Sequence, residues 1–173
     1  EAMHIWKDVP GVLTADPALF ENVTKIERLS YNEAIEMTYY GAKVIHPKTI
    51  KPLQNKGIPL YVKCFLDPSL PGTVIHNKTL PALPPVIVLK EKQVLLEMSS
   101  RDFSFVGEHH VGRLYHLFEQ LHIKPNLTQN GAISFLCVID DRADKIEKLA
   151  LEAAADLDVQ VKKGLSVLTV RHY

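Results

Sequence analysis

Lys43 stands in Gly41-Ala42-Lys43-Val44-Ile45-His46-Pro47, between a glycine that can stop one helix and a proline that can start the next. Glycine has no Cβ and adopts the left-handed conformation that ends a helix. Proline fits the first helical position, where its missing N–H costs nothing. A lysine held in so short a connection can aim its ammonium at an anion; the plain alternative is a solvated loop lysine. Asp8 is a second candidate. It follows the strand-like His4-Ile5-Trp6-Lys7 and precedes one turn at Pro10-Gly11 and another at Asp16-Pro17. In open α/β sheets, ligands gather at the carboxyl ends of strands. A carboxylate there can hold a ribose hydroxyl or a metal, or bond its own turn backbone. His109, His110 and His116 form a third group. A neighbouring pair plus one more at helical distance does not define a metal ligand set, and they read as solvated or pocket-lining.

Twenty basic and twenty acidic residues leave no net charge, which argues against a dedicated polyanion binder. Hydrophobic content of 46% and charged content of 23% are ordinary globular values. The 173 residues fit one large domain or two small ones, against ~100–200 residues per domain. No apolar run approaches the ~20 residues of a transmembrane helix. The first residues lack the basic and apolar regions of a signal peptide, and a cytoplasmic location is the expectation. Cys64 and Cys137 lie in apolar, strand-like runs and read as buried free thiols of a reducing compartment. The Asn-x-Thr sequons at Asn22, Asn77 and Asn126 read as chance matches.

These residues need elements to position them. Ser30-Tyr31-Asn32-Glu33 matches a capping box and opens a helix to about Tyr40, with Ala34, Ile35, Thr38 and Tyr39 on one side. A second helix runs from Pro47 to about Lys56, with Ile50, Leu53 and Gln54 facing in and Gly57 ending it. Ile58 to Phe65 alternates, with Ile58, Leu60, Val62 and Cys64 on one face of a strand. Thr73 to Ile75 is a short strand. Residues 76–85 carry Pro81, Pro84 and Pro85 and read as an extended connector, with a domain boundary near residue 83.

Beyond it the pattern is a strand at 86–89, a polar break at 90–92, a strand at 94–98 and an irregular loop at 99–110. Val111, Leu114, Tyr115, Phe118 and Leu121 follow helical spacing. Asn130-Gly131 marks a hairpin turn before a strand at 133–139. Asp141 can cap a helix to about Leu157, with Ile146, Leu149, Ala153 and Leu157 inward. Strands at 159–162 and 165–170 follow, broken by Gly164. The order over 94–162 is the ferredoxin-like split βαβ arrangement. RNA-recognition domains share it, but the candidate strand at 132–137 has one aromatic and no Lys or Arg, which disfavours nucleic acid.

The first 75 residues resemble the C-terminal part of the catalytic domain of aspartate kinases, in the amino acid kinase superfamily. The matching text is Ile5 through Pro17, Tyr40-Gly41-Ala42-Lys43-Val44-Ile45-His46-Pro47, and Pro71-Gly72-Thr73. The second half resembles that family's ACT regulatory region, nearest the lysine-sensitive, single-function branch. It does so through Gly112-Arg113-Leu114 to His122-Ile123, Asn126 and the strand at 133–139. The resemblance implies an α/β fold: part of an amino-acid-kinase domain over 1–83, then a ferredoxin-like βαββαβ ACT region over 84–173. In that region 94–162 would form one ACT unit, with 86–89 and 165–170 as strands of a truncated second unit.

The activity implied is ATP-dependent phosphorylation of L-aspartate to 4-phospho-L-aspartate, with Mg2+ accompanying the nucleotide. Lys7, Asp8, Leu13, Ala18 and Lys43 would meet the nucleotide, Lys43 at its phosphates. Leu13 and Ala18 depart from the aromatic residue and the arginine that family members often carry. A regulatory amino acid, lysine ahead of threonine, would meet Ser104, Gly107, His109, His110, Val111, Pro125, Asn126, Asn130 and Gly131. Asn126 replaces an acid. The family's Lys-Phe-Gly-Gly segment and its aspartate-binding residues are not in these 173 residues, so the expectation is a fragment inactive alone. Homodimerisation through the ACT region is expected, with the unpaired strands as sticky edges. The alternative is a non-catalytic ACT-type amino-acid sensor or dimerisation module.

Overall fold

The alternation read at 58–65 becomes a strand because alternate side chains have a core to enter. In the first of two units, Glu1–Lys90 with Leu168–Tyr173, the chain forms eight elements. They are β1 (Met3–Lys7), β2 (Val12–Leu13), β3 (Lys25–Ile26), β4 (Arg28–Ser30), α1 (Tyr31–Tyr39), α2 (Pro47–Lys56), β5 (Leu60–Cys64) and β6 (Thr73–His76). This computed structural model describes residues 1–78 and 82–173. Pro81, one of the three connector prolines, lies outside the described residues. The main sheet has the order β1-β5-β6-β4, with β1/β5 and β4/β6 parallel and β5/β6 antiparallel. Leu60, Val62, Leu29, Ile50, Ile75 and Val86 are buried together in its core.

Two short pieces that the sequence pattern did not show, β2 and β3, pair antiparallel as a separate ribbon. At two residues each they are too short to display a period. Thr73, fully buried, ties them to β6. Its hydroxyl donates to the Ile26 carbonyl at 2.5 Å and accepts from the Val12 N–H at 2.8 Å. Two glycines make room. A Cβ on Gly11 would stand 2.5 Å from Thr73 Oγ1, and one on Gly72 (φ 76°) would overlap the Val62 carbonyl oxygen. Pro71-Gly72-Thr73 is therefore a packing motif.

Half of the predicted capping box forms. Ser30 Oγ accepts from the Glu33 N–H at 3.1 Å, while the Glu33 carboxylate turns to Arg171. The inner face of α1 is Tyr31, Ala34 and Met37 rather than the side carrying Tyr39, which is 46% exposed. The Tyr31 hydroxyl, donating to the Ile58 carbonyl, sets that rotation. Helix α1 ends as predicted at Gly41 (φ 119°): Gly41 N–H bonds Thr38 O and Ala42 N–H bonds Met37 O, the Schellman pattern. Pro47 opens α2, His46 Nδ1 accepts from the Lys48 N–H, and Gly57 (φ 64°) closes it.

The second unit, Glu91–Val167, contains most of β7 (Val86–Ser100), then α3 (Glu108–Gln120), β8 (Leu127–Asn130), β9 (Ser134–Asp140), α4 (Ala143–Ala153) and most of β10 (Leu157–Arg171). Its sheet order is β10-β7-β9-β8. The predicted element order holds, with differences. The strands expected at 86–89 and 94–98 are one strand, as are those at 159–162 and 165–170. Lys92 (φ 55°) and Gly164 (φ 71°) sit at the expected breaks, so each break is a bend within a strand. The units divide at Lys90 and Glu91 rather than near 83, and the last six residues rejoin the first unit. Val86 and Val88 are buried in that unit's core, not left as sticky edges. On β10, Leu168 and Val170 do remain exposed.

The core of the second unit gathers Leu96, Met98, Leu114, Phe118, Phe135, Cys137 and Leu149. Helix α4 stops at Ala153, and the buried Leu157 belongs to β10. Two arginines explain the early stop. Arg101 donates to Ala154 O at 2.5 Å and to Leu157 O at 3.3 Å; Arg113 donates to Glu152 O at 2.9 Å and pairs with Asp156. Helix ends leave orphan carbonyls, and cations there are favourable. Arg142, not Asp141, occupies the N-cap of α4, without a side-chain bond. Asn130 pairs with Phe135, and Gly131 does not take positive φ, so the hairpin loop is wider than a two-residue turn. Among the described residues, no helix is long and apolar enough to cross a membrane.

The glycines separate by role. Gly72→Ala forces a side chain into positive φ against a carbonyl and is expected to destabilise by about 1–3 kcal/mol. Gly112, exposed in α3 with nothing within 4 Å of its would-be Cβ, should gain about 0.4–1 kcal/mol on change to Ala. Urea unfolding of the two variants checks both signs.

Candidate functional site

Strands β1 and β5 are parallel, so Lys7 and Cys64 mark their carboxyl ends. Phe65 N–H donates to Lys7 O at 2.8 Å and closes that end. Asp8 follows, exposed, and among the described residues its carboxylate makes no hydrogen bond or ion pair; the turn-bonding alternative is not what forms. Lys7 Nζ reaches the carbonyl of Lys43 at 3.4 Å. The fold thus brings Lys7, Asp8 and the Lys43 connection to one rim. Lys43 is exposed there, between α1 and α2 as predicted. Trp6, 48% exposed and the chain's single tryptophan, precedes Lys7.

Leu13 and Ala18 are not joined to that rim by any hydrogen bond among the described residues. Leu13 is half-buried in β2 opposite Lys25. Ala18 is exposed in the next turn, where its N–H donates to Asp16 Oδ1 at 2.9 Å. That amide is already used by the turn.

On α1, the helix that precedes the Lys43 connection, lies a cluster that sequence reasoning missed. The Arg171 guanidinium grips Glu33 with two bonds, at 2.7 and 3.1 Å, and reaches Glu36 at 3.4 Å. His172 Nε2 lies 2.9 Å from Glu33 Oε1. Burial would raise the Glu33 carboxyl, but the hydrogen bonds and charges of Arg171 and His172 outweigh it and hold the group below its ordinary value. No local signal marks the pair, because the partners are 138 residues apart.

The nine residues proposed for an amino-acid effector do not converge within the second unit. Val106 N–H donates to Ala132 O at 2.9 Å, so the loop carrying Ser104, Gly107, His109, His110 and Val111 lies at the hairpin end with Asn130 and Gly131. Pro125 and Asn126 stand at the opposite end of β8, where Asn126 N–H meets Val138 O. The Asn126 amide donates to Gln93 Oε1 at 2.6 Å and Asp140 Oδ1 at 2.8 Å. Gln93, buried, donates onward to the Glu91 and Lys92 carbonyls and to Asp140. Asn126 thereby helps fix the bend at Lys92. Among the described residues, no three His, Cys, Asp or Glu side chains are placed to hold a metal.

At one rim the fold gathers the end of a parallel strand pair, two lysines and a carboxylate beside a capped helix pair, and residues 1–64 match the model of the amino acid kinase family. Over nearly its whole length the chain is an aspartokinase homologue. It is 31% identical, over 98% of its own length, to lysine-sensitive aspartokinase 3 of Escherichia coli, and spans 40% of that protein. The crystal structure of the E. coli enzyme with aspartate and ADP matches with TM-score 0.85 at 28% identity, over 98% of this chain and 39% of that one. Its complex with lysine and aspartate matches with TM-score 0.81 at 29% identity, over the same shares. The fold is that of these aspartate kinases.

Because the Glu33 carboxyl is held low in the folded chain, its ionised form stabilises the fold. That contribution is complete above the unfolded value of about 4.3 and is lost as pH falls through the lower folded value. The melting temperature should drop below pH 5, and Glu33→Gln should flatten part of that drop. Melting curves between pH 3 and pH 7 measure it.

Proposed function

We propose that the chain is part of an aspartate kinase, which transfers the terminal phosphoryl group of ATP to the side-chain carboxylate of L-aspartate. The observation that carries this reading is the contact of the Lys7 side chain with the Lys43 carbonyl, beside exposed Asp8 at the carboxyl ends of parallel strands. Phosphoryl transfer asks a protein for charge compensation and in-line placement more than for covalent help. Lys43 is suited to the phosphates as a flexible point charge, and Lys7 to the adenosine side of the nucleotide. Asp8 is suited to a ribose hydroxyl, and Leu13 lines the nucleotide from β2. Ala18, its N–H engaged, contributes shape only. No residue of the chain is assigned to magnesium, which would travel with the nucleotide.

The regulatory amino acid is taken to be lysine, bound by the Glu91–Val167 unit; the E. coli relative's solved complex with lysine supports this. The two-ended placement of Ser104–Val111 and Asn126 suits a site shared by two copies, in a cytoplasmic homodimer.

Three measurements test the reading. Titration with Mg-ADP should quench Trp6 fluorescence, and Lys43→Ala should weaken the effect about tenfold or more; no quenching in the parent chain would remove the nucleotide site. A coupled assay should find no aspartate-dependent ATP consumption by these residues alone, and turnover above background would overturn the inactive-fragment reading. In a melting screen of lysine, threonine and methionine, lysine should raise the transition, because a ligand of the native state stabilises it. A shift by threonine alone would reassign the effector.

A further inference from the structure

We infer that Arg171 is a positioning residue for Lys43, acting through helix α1; the functional meaning of this rests on the nucleotide reading above, while its structural content does not. Glu33, Glu36 and Tyr40 lie at helical spacings of three and four, on one face of α1. The Arg171 guanidinium spans all three. It forks onto Glu33 at 2.7 and 3.1 Å, touches Glu36 at 3.4 Å, and sits 5.9 Å from the centre of the Tyr40 ring. One cation therefore links the first turn of the helix to its C-cap, about two turns and 10 Å away.

The C-cap is what sets Lys43. Tyr40 is followed by Gly41, whose amide and that of Ala42 close the helix on Thr38 and Met37. On its open side Gly41 meets the stem of Lys90: a Cβ there would lie 3.2 Å from Lys90 Cβ and Cγ. Two residues on, the Lys43 carbonyl accepts from Lys7 at 3.4 Å. The backbone that carries the Lys43 ammonium is thus held by the cap, by Lys90 and by Lys7, and Arg171 fixes the cap.

An exposed ion pair contributes little. This one differs: the side chains of Arg171 and Glu33 are only 22% and 10% exposed, and the guanidinium binds in its two-pronged geometry. His172 adds a second donor to the same carboxylate. Arg171 also ends β10, a strand whose residues 157–167 belong to the other unit. The residue that fixes the Lys43 connection is therefore carried by chain that leaves the Glu91–Val167 unit.

Amide hydrogen exchange on the 173-residue chain tests this. In Arg171→Gln, the Gly41 and Ala42 amides should exchange about tenfold faster, with the Leu96 and Leu149 amides unchanged. Arg171→Lys should restore protection only in part, since an ammonium cannot fork. Glu36→Gln, a milder change, should give a smaller acceleration at the same two amides. Unchanged exchange at Gly41 and Ala42 in Arg171→Gln, or acceleration spread equally over Leu96 and Leu149, would overturn the inference. Mg-ADP quenching of Trp6 separates the two levels. If the parent chain shows none while the exchange pattern holds, the nucleotide reading fails and the clamp stands. If quenching is present and equal in parent and Arg171→Gln, the clamp does not position Lys43 for the ligand, and the inference fails.

Discussion

A single buried hydroxyl joins three strands of the first unit. Thr73 accepts from β2 and donates to β3 while belonging to β6, so three pieces of chain share one oxygen. Inside a core such a group is favourable only when both of its roles are filled, since an unmade bond there carries the full desolvation penalty. Two glycines follow from it. Gly11 must be bare for Thr73 to approach, and Gly72 must turn with positive φ to deliver it past the Val62 carbonyl. The β2–β3 ribbon, which carries Leu13, is tied to β6 through this hydroxyl, and the burial of Val12 and Ile26 in the core holds it as well.

The second unit has a counterpart in Gln93, whose buried amide gathers two backbone carbonyls, Asp140 and Asn126. Both hubs sit where a strand departs from regularity. Thr73 stands beside a positive-φ glycine and Gln93 beside positive-φ Lys92. A bend exposes backbone groups that a straight ladder would pair, and a side chain must meet them. Asn126 is best understood in this setting. Its side chain supports the bend in β7, whatever else approaches that end of β8.

Features set by neighbours in sequence were legible. The ends of α1 and α2 follow from Gly41, Pro47 and Gly57, because helix termination depends on local backbone freedom. The strand β5, within the alternation at 58–65, and the βαββαβ order follow from periodicity. What was hidden depended on distant partners. Tyr31 turns α1 by bonding Ile58, so the buried face included Met37 and excluded Tyr39. Polar residues at 90–92 and a glycine at 164 marked bends correctly, but local pattern does not tell a bend from a break. Of the candidate site, the placement of Lys43 between two helices and of Asp8 after a strand was legible from turn chemistry; that Lys7 would reach Lys43 across 36 residues was not. Arg171 had no signal at all, being one arginine near the end of a strand.

The two cysteines give the molecule a pair of internal clocks. Cys64 is buried in the Glu1–Lys90 unit and Cys137 in the Glu91–Val167 unit, both as free thiols. Burial pushes the Cys137 thiol up to about 12, so in the closed state it is neither reachable nor nucleophilic at neutral pH. Alkylation must wait for opening. With one silent thiol in each unit, the order in which Cys64 and Cys137 become modified reports which half of the chain loosens first, with no label added.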